Sequence, residues 1–235
     1  MRFAKPRQTQ PKLRVEHKHK NLALQNFLSL EIDKCIRHSI DGPLMPYAIR
    51  IIPGMSGQRF RKLLNGLAQI PISGSYLEIG TFKGSTACSA LYKSQRSAIL
   101  IDNWSEFGGP KKIAQENLNR FCSCSAILFM DLEFSEFYRA PVNQKIFLYF
   151  YDGGHSFEEQ RLAVDLINSL NFDNLIFVVD DFSWETVQKA TSEGLRFLNS
   201  VVVKTWTILP SENDELFRYG EWHNGYFICL ISKKE

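Results

Sequence analysis

Six acids of this 235-residue chain, Glu78, Asp102, Asp131, Asp152, Asp180 and Asp181, close short apolar runs. In an open α/β sheet such strand ends lie along the edge where ligands bind. Glu78 sits in Tyr76-Leu77-Glu78-Ile79-Gly80-Thr81-Phe82-Lys83-Gly84-Ser85-Thr86, which reads as a strand, an acid at its tip, a tight glycine turn and a helix start. Gly80 permits a turn that a Cβ obstructs, and Gly84 lets a ligand or a crossing chain come close. Ser85 or Thr86 can cap the helix that follows. The spacing Glu-x-Gly-x-x-x-Gly is not the G-x-G-x-x-G that seats a pyrophosphate, and no G-x-x-x-x-G-K-[ST] occurs. A carboxylate beside the turn repels phosphate but suits an ammonium, a hydroxyl or a sulfonium.

Asp102 follows Glu78 by 24 positions and ends the second apolar run, where an acid can accept two hydrogen bonds from a ribose diol. Asp131, after the third run, is placed beside an adenine edge. This describes a nucleoside site without a phosphate cradle. Any one Asp is also a common cap or turn residue. Acids at five successive strand tips exceed what capping alone explains. Asp152 and the Asp180-Asp181 pair end adjacent strands about 4.8 Å apart, so three carboxylates can converge. Such a cluster repels itself unless protonated or bound to a cation, and all-oxygen ligation suits Mg²⁺. In the alternative, Asp181 caps the next helix and Asp180 alone serves the site. His155 stands three positions after Asp152, at the mouth of the same site.

The elements that must position these residues follow from periodicity. Helices are expected over Asn21 to Ile40, Gly57 to Ala68, Ser85 to about Lys93, Lys111 to Phe121, Phe157 to about Leu170 and Glu185 to Leu198. Strands are expected over Ser75 to Ile79, Ala98 to Asp102, Ser125 to Met130, Ile146 to Tyr151 and Leu175 to Val179. Val201 to Ile208 and Tyr226 to Ile231, with no helix expected between them, read as an antiparallel hairpin. The fold class is α/β: a Rossmann-like, seven-stranded, mostly parallel sheet with helices on both faces. Residues 1–20 read as a basic flexible tail, 21–70 as a helical extension or lid, and 71–235 as the main domain.

A hydrophobic fraction of 44% and an aromatic fraction of 13% suit a globular chain. No apolar run reaches the roughly 18 residues of a membrane span, and the N-terminus lacks the apolar stretch of a secretory signal. The five cysteines, odd in number and without a C-x-x-C pair, read as reduced thiols of a cytoplasmic protein. Residues 1–20 hold seven Lys or Arg and one Glu, so they carry +6 of a net +3 and the rest about −3. A basic tail can meet nucleic acid or a partner subunit. Nucleic acid is not the expected partner, and a homo-oligomer is left open.

The segment Leu77 to Thr86 resembles the first motif of class I S-adenosylmethionine-dependent methyltransferases, and Asp102 matches their ribose-binding acid. Phe150-Tyr151-Asp152-Gly153-Gly154-His155-Ser156-Phe157-Glu158 resembles the D-G-x-H-S-[YF]-E segment of a small-molecule O-methyltransferase group that includes metal-dependent macrolide sugar O-methyltransferases. The resemblance spans roughly Gly57 to Lys233. It implies S-adenosylmethionine as cofactor, contacted by Glu78, Gly80, Thr81, Gly84, Ser85, Asp102, Asn103, Asp131 and Asp152. It also implies a divalent ion on Asp152, Asp180 and Asp181, with Asp180 standing where those enzymes have Glu. By the same resemblance His155 is the general base.

Three readings follow. The first is a metal-dependent O-methyltransferase acting on a sugar or catechol-like diol. The second keeps the cofactor without the metal and methylates another acceptor. The third is a nucleotide-binding domain without catalysis. Trp104, Phe107, Trp184, Trp222 and His223 are candidates for lining the acceptor pocket, although aromatics in such loops also serve packing.

Overall fold

The computed structural model describes residues 10–122, 126–211 and 219–234. Seven strands form one sheet: β1 (Ser75–Ile79), β2 (Ala98–Asp102), β3 (Ile127–Asp131), β4 (Ile146–Tyr151), β5 (Asn174–Val179), β6 (Ser200–Ile208) and β7 (Tyr226–Lys233). Their order is β3-β2-β1-β4-β5-β7-β6. Strands β1 to β5 run parallel, and β7 lies antiparallel between β5 and β6. The expected fold class is the observed one.

The helices are α1 (Gln10–Asp41), α2 (Tyr47–Arg50), α3 (Gln58–Gln69), α4 (Ser85–Leu91), α5 (Lys111–Phe121), α6 (Phe134–Arg139), α7 (Phe157–Asp165), α8 (Glu185–Arg196) and α9 (Tyr219–Trp222). Four differ from expectation in kind, one of them the single-turn α2, which was not expected. Helix α1 starts at Gln10, eleven residues before Asn21, and so takes in half of the segment read as a tail; residues 1–9 lie outside the described residues. Helix α6 was not expected. It is held by a reciprocal capping box between Glu133 and Glu136, with the Glu133 amide donating to Glu136 Oε2 at 3.1 Å. A one-turn helix, α9, stands between the last two strands. The expected helix to Leu170 ends at Asp165 and continues as a 3₁₀ turn over Leu166–Ser169. The expected strand start at Ser125 lies outside the described residues.

Strand alternation sorts the core into two layers. Tyr76, Leu148, Phe150, Ile176, Val178, Tyr226 and Ile228 point to one face and meet α1 and α3 through Leu28, Ile32, Phe60, Leu64 and Leu67. Leu77, Ile79, Tyr149, Tyr151, Phe177 and Val179 point to the other and meet α7 and α8 through Val164 and Val187. On the first face Phe60 stacks on Tyr226 with ring centroids 3.5 Å apart. Helix α1 is fastened to β6 by Asp33, which accepts from Trp206 Nε1 at 2.7 Å and pairs with Lys204 at 2.9 Å.

Register explains why the acids meet. Ile79 pairs with Ile101 and Tyr151, Tyr151 pairs with Val179, and Asp102 pairs with Asp131. One step further on, Asp131, Asp102, Gly80, Asp152 and Asp180 fall in one row across five strand ends. The row is stitched by Gly80 N to Ile101 O, Asp152 N to Ile79 O and Asp180 N to Tyr151 O, at 2.9 to 3.1 Å.

Candidate active site

Gly80 is the centre of the row. Its φ is +88°, and a Cβ there would stand 1.8 Å from the Asp152 carbonyl oxygen. The close approach expected at Gly84 therefore occurs at Gly80. Gly84, with φ +79°, has only ordinary contacts, the nearest being Ala114 O at 3.5 Å from a built Cβ. Gly84 itself is the N-cap of α4, and no side chain caps the helix, contrary to the expectation for Ser85 or Thr86. Both hydroxyls have other neighbours. Thr86 Oγ1 donates to Glu78 Oε1 at 2.7 Å. Ser85 Oγ faces the α-carbon of Gly54.

Glu78 is fully buried, and its other oxygen, Oε2, accepts from the Tyr76 hydroxyl. Burial pushes its carboxyl up to about 8. Glu78, expected as a cofactor contact, is placed as a buried brace beneath the glycine turn, and burial favours its neutral form. Thr81 is also buried, and its Oγ1 has no partner among the described residues.

Asp102 ties two loops together. Its Oδ2 accepts from Phe82 N and its Oδ1 from Trp104 N, both at 2.7 Å, and both donors have left-handed backbones with φ +47°. Each carboxylate oxygen retains an acceptor position for a diol. Asn103 is engaged by its own surroundings, donating to Glu133 and accepting from Ser105. Asp131 is exposed and paired with Lys111 at 2.6 Å.

At the other end of the row Asp181 stands in one group with Asp152 and His155 and in a second with Asp180 and His223. Asp152 and Asp180 are hydrogen-bonded side chain to side chain. Desolvation, then the Asp181 charge, pushes Asp152 up to about 7. Desolvation and the Asp152 charge push Asp180 well above the usual carboxylate range. The two therefore share a proton when no cation is present. Asp181 behaves differently. Burial alone would raise it, but hydrogen bonds from His155 and Asn224 outweigh burial and hold it below its ordinary value. His155 Nε2 lies 2.8 Å from Asp181 Oδ2. For His155, burial disfavours the cation, yet the Asp181 bond and charge outweigh it and raise the imidazole above 6.5. His223 Nδ1 is 3.8 Å from Asp181 Oδ1, and desolvation lowers its pKa.

Asp181 does not cap α8, whose N-cap is Trp184 without a side-chain bond. Its carboxylate turns into the site instead. Among the described residues two overlapping groups hold their ligand atoms within 4.8 Å: Asp152, His155 and Asp181, and Asp180, Asp181 and His223. The donors fit a divalent cation, because desolvated carboxylates that must share a proton gain from a positive charge between them. Neither group is the expected all-oxygen trio of Asp152, Asp180 and Asp181, because each includes an imidazole beside two of the carboxylates.

The aromatic candidates divide. Trp184 is exposed and stands edge-on to His155 at 5.0 Å between centroids. Phe107 is exposed and meets Phe82 at 5.2 Å. Trp222 is fully buried and packs near Tyr226, so it is core rather than pocket lining. Trp104 is nearly buried, stacked on Phe129 and bonded through Nε1 to Phe82 O at 2.8 Å. Asn224 was missed; it is a loop amide whose only sequence signal is a place in a turn.

The fold is similar to that of solved S-adenosylmethionine-dependent methyltransferases. An SAH-bound methyltransferase from Podospora anserina superposes with a TM-score of 0.59 at 12% identity, over 100% of each chain. An O-methyltransferase from Bacillus cereus in complex with SAH gives 0.57 at 11% identity, over 89% of this chain and 97% of that one. A SAM-dependent O-methyltransferase from Thermotoga maritima gives 0.58 at 11% identity, over 81% and 72%. No family model and no curated protein sequence matches the chain. At these identities the likeness establishes the fold, and the chemistry rests on the site.

Proposed function

We propose that the protein is an S-adenosylmethionine-dependent O-methyltransferase acting on a hydroxyl of a small diol, of a sugar or a catechol-like ring, with Mg²⁺ assistance. The observation that carries this reading is the single row that sets Asp102 on one side of the Gly80 turn and Asp152, Asp180, Asp181 and His155 on the other. A nucleoside end and a hydroxyl-activating end then lie a few strand widths apart. The likeness to SAH-bound methyltransferases supports the cofactor.

Asp102 receives the ribose diol. Asp152, Asp180 and Asp181 would hold the cation, whose charge, when bound, would lower the pKa of a nearby hydroxyl. His155 takes the proton. With Nε2–H on Asp181, the lone pair lies on Nδ1, which is buried and has no partner among the described residues. S-adenosylmethionine, when bound, would supply a methyl group on an activated sulfonium, and the part of this chain would be to align the acceptor oxygen with that methyl and take up its proton. Base catalysis of this kind contributes about 10² to 10⁴ in rate, and alignment contributes further.

Calorimetry with S-adenosylmethionine, S-adenosylhomocysteine and NAD tests the cofactor. Binding of the first two and not of NAD is expected; NAD binding without S-adenosylhomocysteine binding refutes the reading. Asp102→Ala should weaken cofactor binding by about 1.5 to 3 kcal/mol, the range for hydrogen bonds to a charged group.

A further inference from the structure

Tyr226 carries a buried hydroxyl beside the carboxylate cluster. It opens β7 and is fully buried. Its ring is clamped: Phe60 of α3 stacks on it with centroids 3.5 Å apart and planes 4° from parallel, and Trp222 stands edge-on at 6.4 Å. A phenylalanine ring would pack equally well among these neighbours. The hydroxyl needs its own reason, because a polar group taken out of water costs free energy unless it is hydrogen-bonded. The Gly57 amide approaches the oxygen as a donor, and the hydroxyl hydrogen has no acceptor among the described residues.

Strand register places an acceptor within reach of that hydrogen. Val178 pairs with Ile228 and Val179 with Phe227. The two chains stay together beyond the ladder, with Phe182 N donating to Gly225 O at 3.1 Å and Ser183 N to Asn224 O at 2.7 Å. One step past Val179, Asp180 therefore stands opposite Tyr226. Alternation puts both side chains on the face of Ile176, Val178 and Ile228, toward α3. Directly opposed residues have Cβ atoms about 4.5 to 5.5 Å apart. Desolvation, then the Asp180 and Asp152 charges, holds the phenol well above its ordinary range, so it remains a donor.

Asp180 has use for such a donor. It is 4% exposed, so its lone pairs depend largely on protein donors, and its Oδ1 accepts from the Asp181 amide at 2.7 Å. A carboxylate that holds a cation keeps further acceptor positions, and donors at those positions fix its angle. We infer that Tyr226 is a positioning residue for the cation site, its hydroxyl donating to Asp180 from the α3 side and fixing that carboxylate against the ion. This rests on the cation reading above. It extends the site to β7, which the row of strand ends does not include, and through the Phe60 stack it ties the site to α3.

Tyr226→Phe keeps the ring and removes only the hydroxyl. In calorimetric titrations with Mg²⁺ alone, affinity should fall about 10-fold, the low end for loss of a ligand's outer partner. S-adenosylhomocysteine affinity and the metal-free melting temperature should hold. A hydroxyl that serves packing alone leaves Mg²⁺ affinity unchanged, and that result overturns the role of Tyr226 while leaving the cation reading intact. Equal losses of Mg²⁺ and S-adenosylhomocysteine affinity mark a general distortion and overturn it too. If Tyr226→Phe does not fold, a crystal structure of the Mn²⁺-loaded wild type decides. The hydroxyl oxygen should then lie within about 3 Å of an Asp180 oxygen, and a hydroxyl bonded elsewhere overturns the role. A folded wild type that binds neither Mg²⁺ nor Mn²⁺ overturns the cation reading and the role of Tyr226 together.

Discussion

Asp181 accepts a hydrogen bond from His155 Nε2 at 2.8 Å, and it does so from a backbone with φ +53°. A left-handed conformation at a residue with a Cβ costs about 1 to 2 kcal/mol. It persists here because three neighbours impose it: the Asp181 amide donates to Asp180 Oδ1 at 2.7 Å, Asn224 Nδ2 donates to Asp181 Oδ1, and the Trp184 amide closes the turn onto Asp181 O at 2.9 Å. Strain held in this way aims a carboxylate at an imidazole, not at the helix that follows.

Asp181→Asn should separate orientation from charge. His155 acts as a base only when neutral, so activity rises with pH through its pKa. That pKa is raised by Asp181, so the acidic limb should lie above 6.5 in the wild type. Removing the charge should move the limb to lower pH. An amide can also donate to Nε2 and select the tautomer with no lone pair at Nδ1, so kcat should fall about 10²-fold or more. A pH-rate profile checks both effects, and a limb that stays in place removes Asp181 from control of the base.

Gly80→Ala and Gly84→Ala should differ although both positions have positive φ. At Gly84 the cost is conformational, about 1 to 2 kcal/mol, since the surrounding atoms leave room. At Gly80 the new methyl meets the Asp152 backbone, which cannot retreat without breaking the row. Denaturant unfolding should give a loss at Gly80 larger than at Gly84 by about 2 kcal/mol or more.

The strand ends were legible because short apolar runs stop at or beside an acid, and a parallel register then aligns the stops. What could not be read is how each acid is used. Nothing in Leu77-Glu78-Ile79 distinguishes a crevice acid from a buried one, because the decision belongs to Tyr76 and Thr86. Arg61 reads as a polar-face residue of an amphipathic helix, yet it faces inward. Helix α6 escaped because six residues show no period, and its cap is a glutamate where Ser, Thr, Asp or Asn is usual. Trp222 reads as loop and is core because α9 folds it beneath α3, near Tyr226.

Glu78 makes stability fall with rising pH. Its carboxyl holds a proton more tightly in the folded chain, at about 8, than in the unfolded one, at 4.5. Its contribution is therefore fully present below about 4.5 and is lost as pH rises through 8. The whole effect is at most about 5 kcal/mol. Glu78→Gln should remove this slope, leaving the variant more stable than the wild type at pH 9 and no more stable at pH 5. Thermal melts across that range check it; parallel curves would mean that Glu78 is charged in the folded state.

Cation binding should expel a proton. Without a cation, Asp152, at about 7, and the higher Asp180 are hydrogen-bonded and share one proton near neutral pH. A divalent ion between them removes the reason to keep it. Mg²⁺ titrations at pH 7 in buffers of different ionisation enthalpy should give different heats, with a slope near one proton released. Affinity should then rise about tenfold per pH unit over the range where that proton is lost. EDTA should abolish turnover, and Mg²⁺ or Mn²⁺ should restore it. Asp180→Asn resembles the protonated carboxyl permanently, so it should weaken Mg²⁺ binding and remove the buffer dependence together. Full turnover in chelator, or heats that do not depend on the buffer, would transfer the task of activating the hydroxyl from the carboxylates to the His155–Asp181 pair alone.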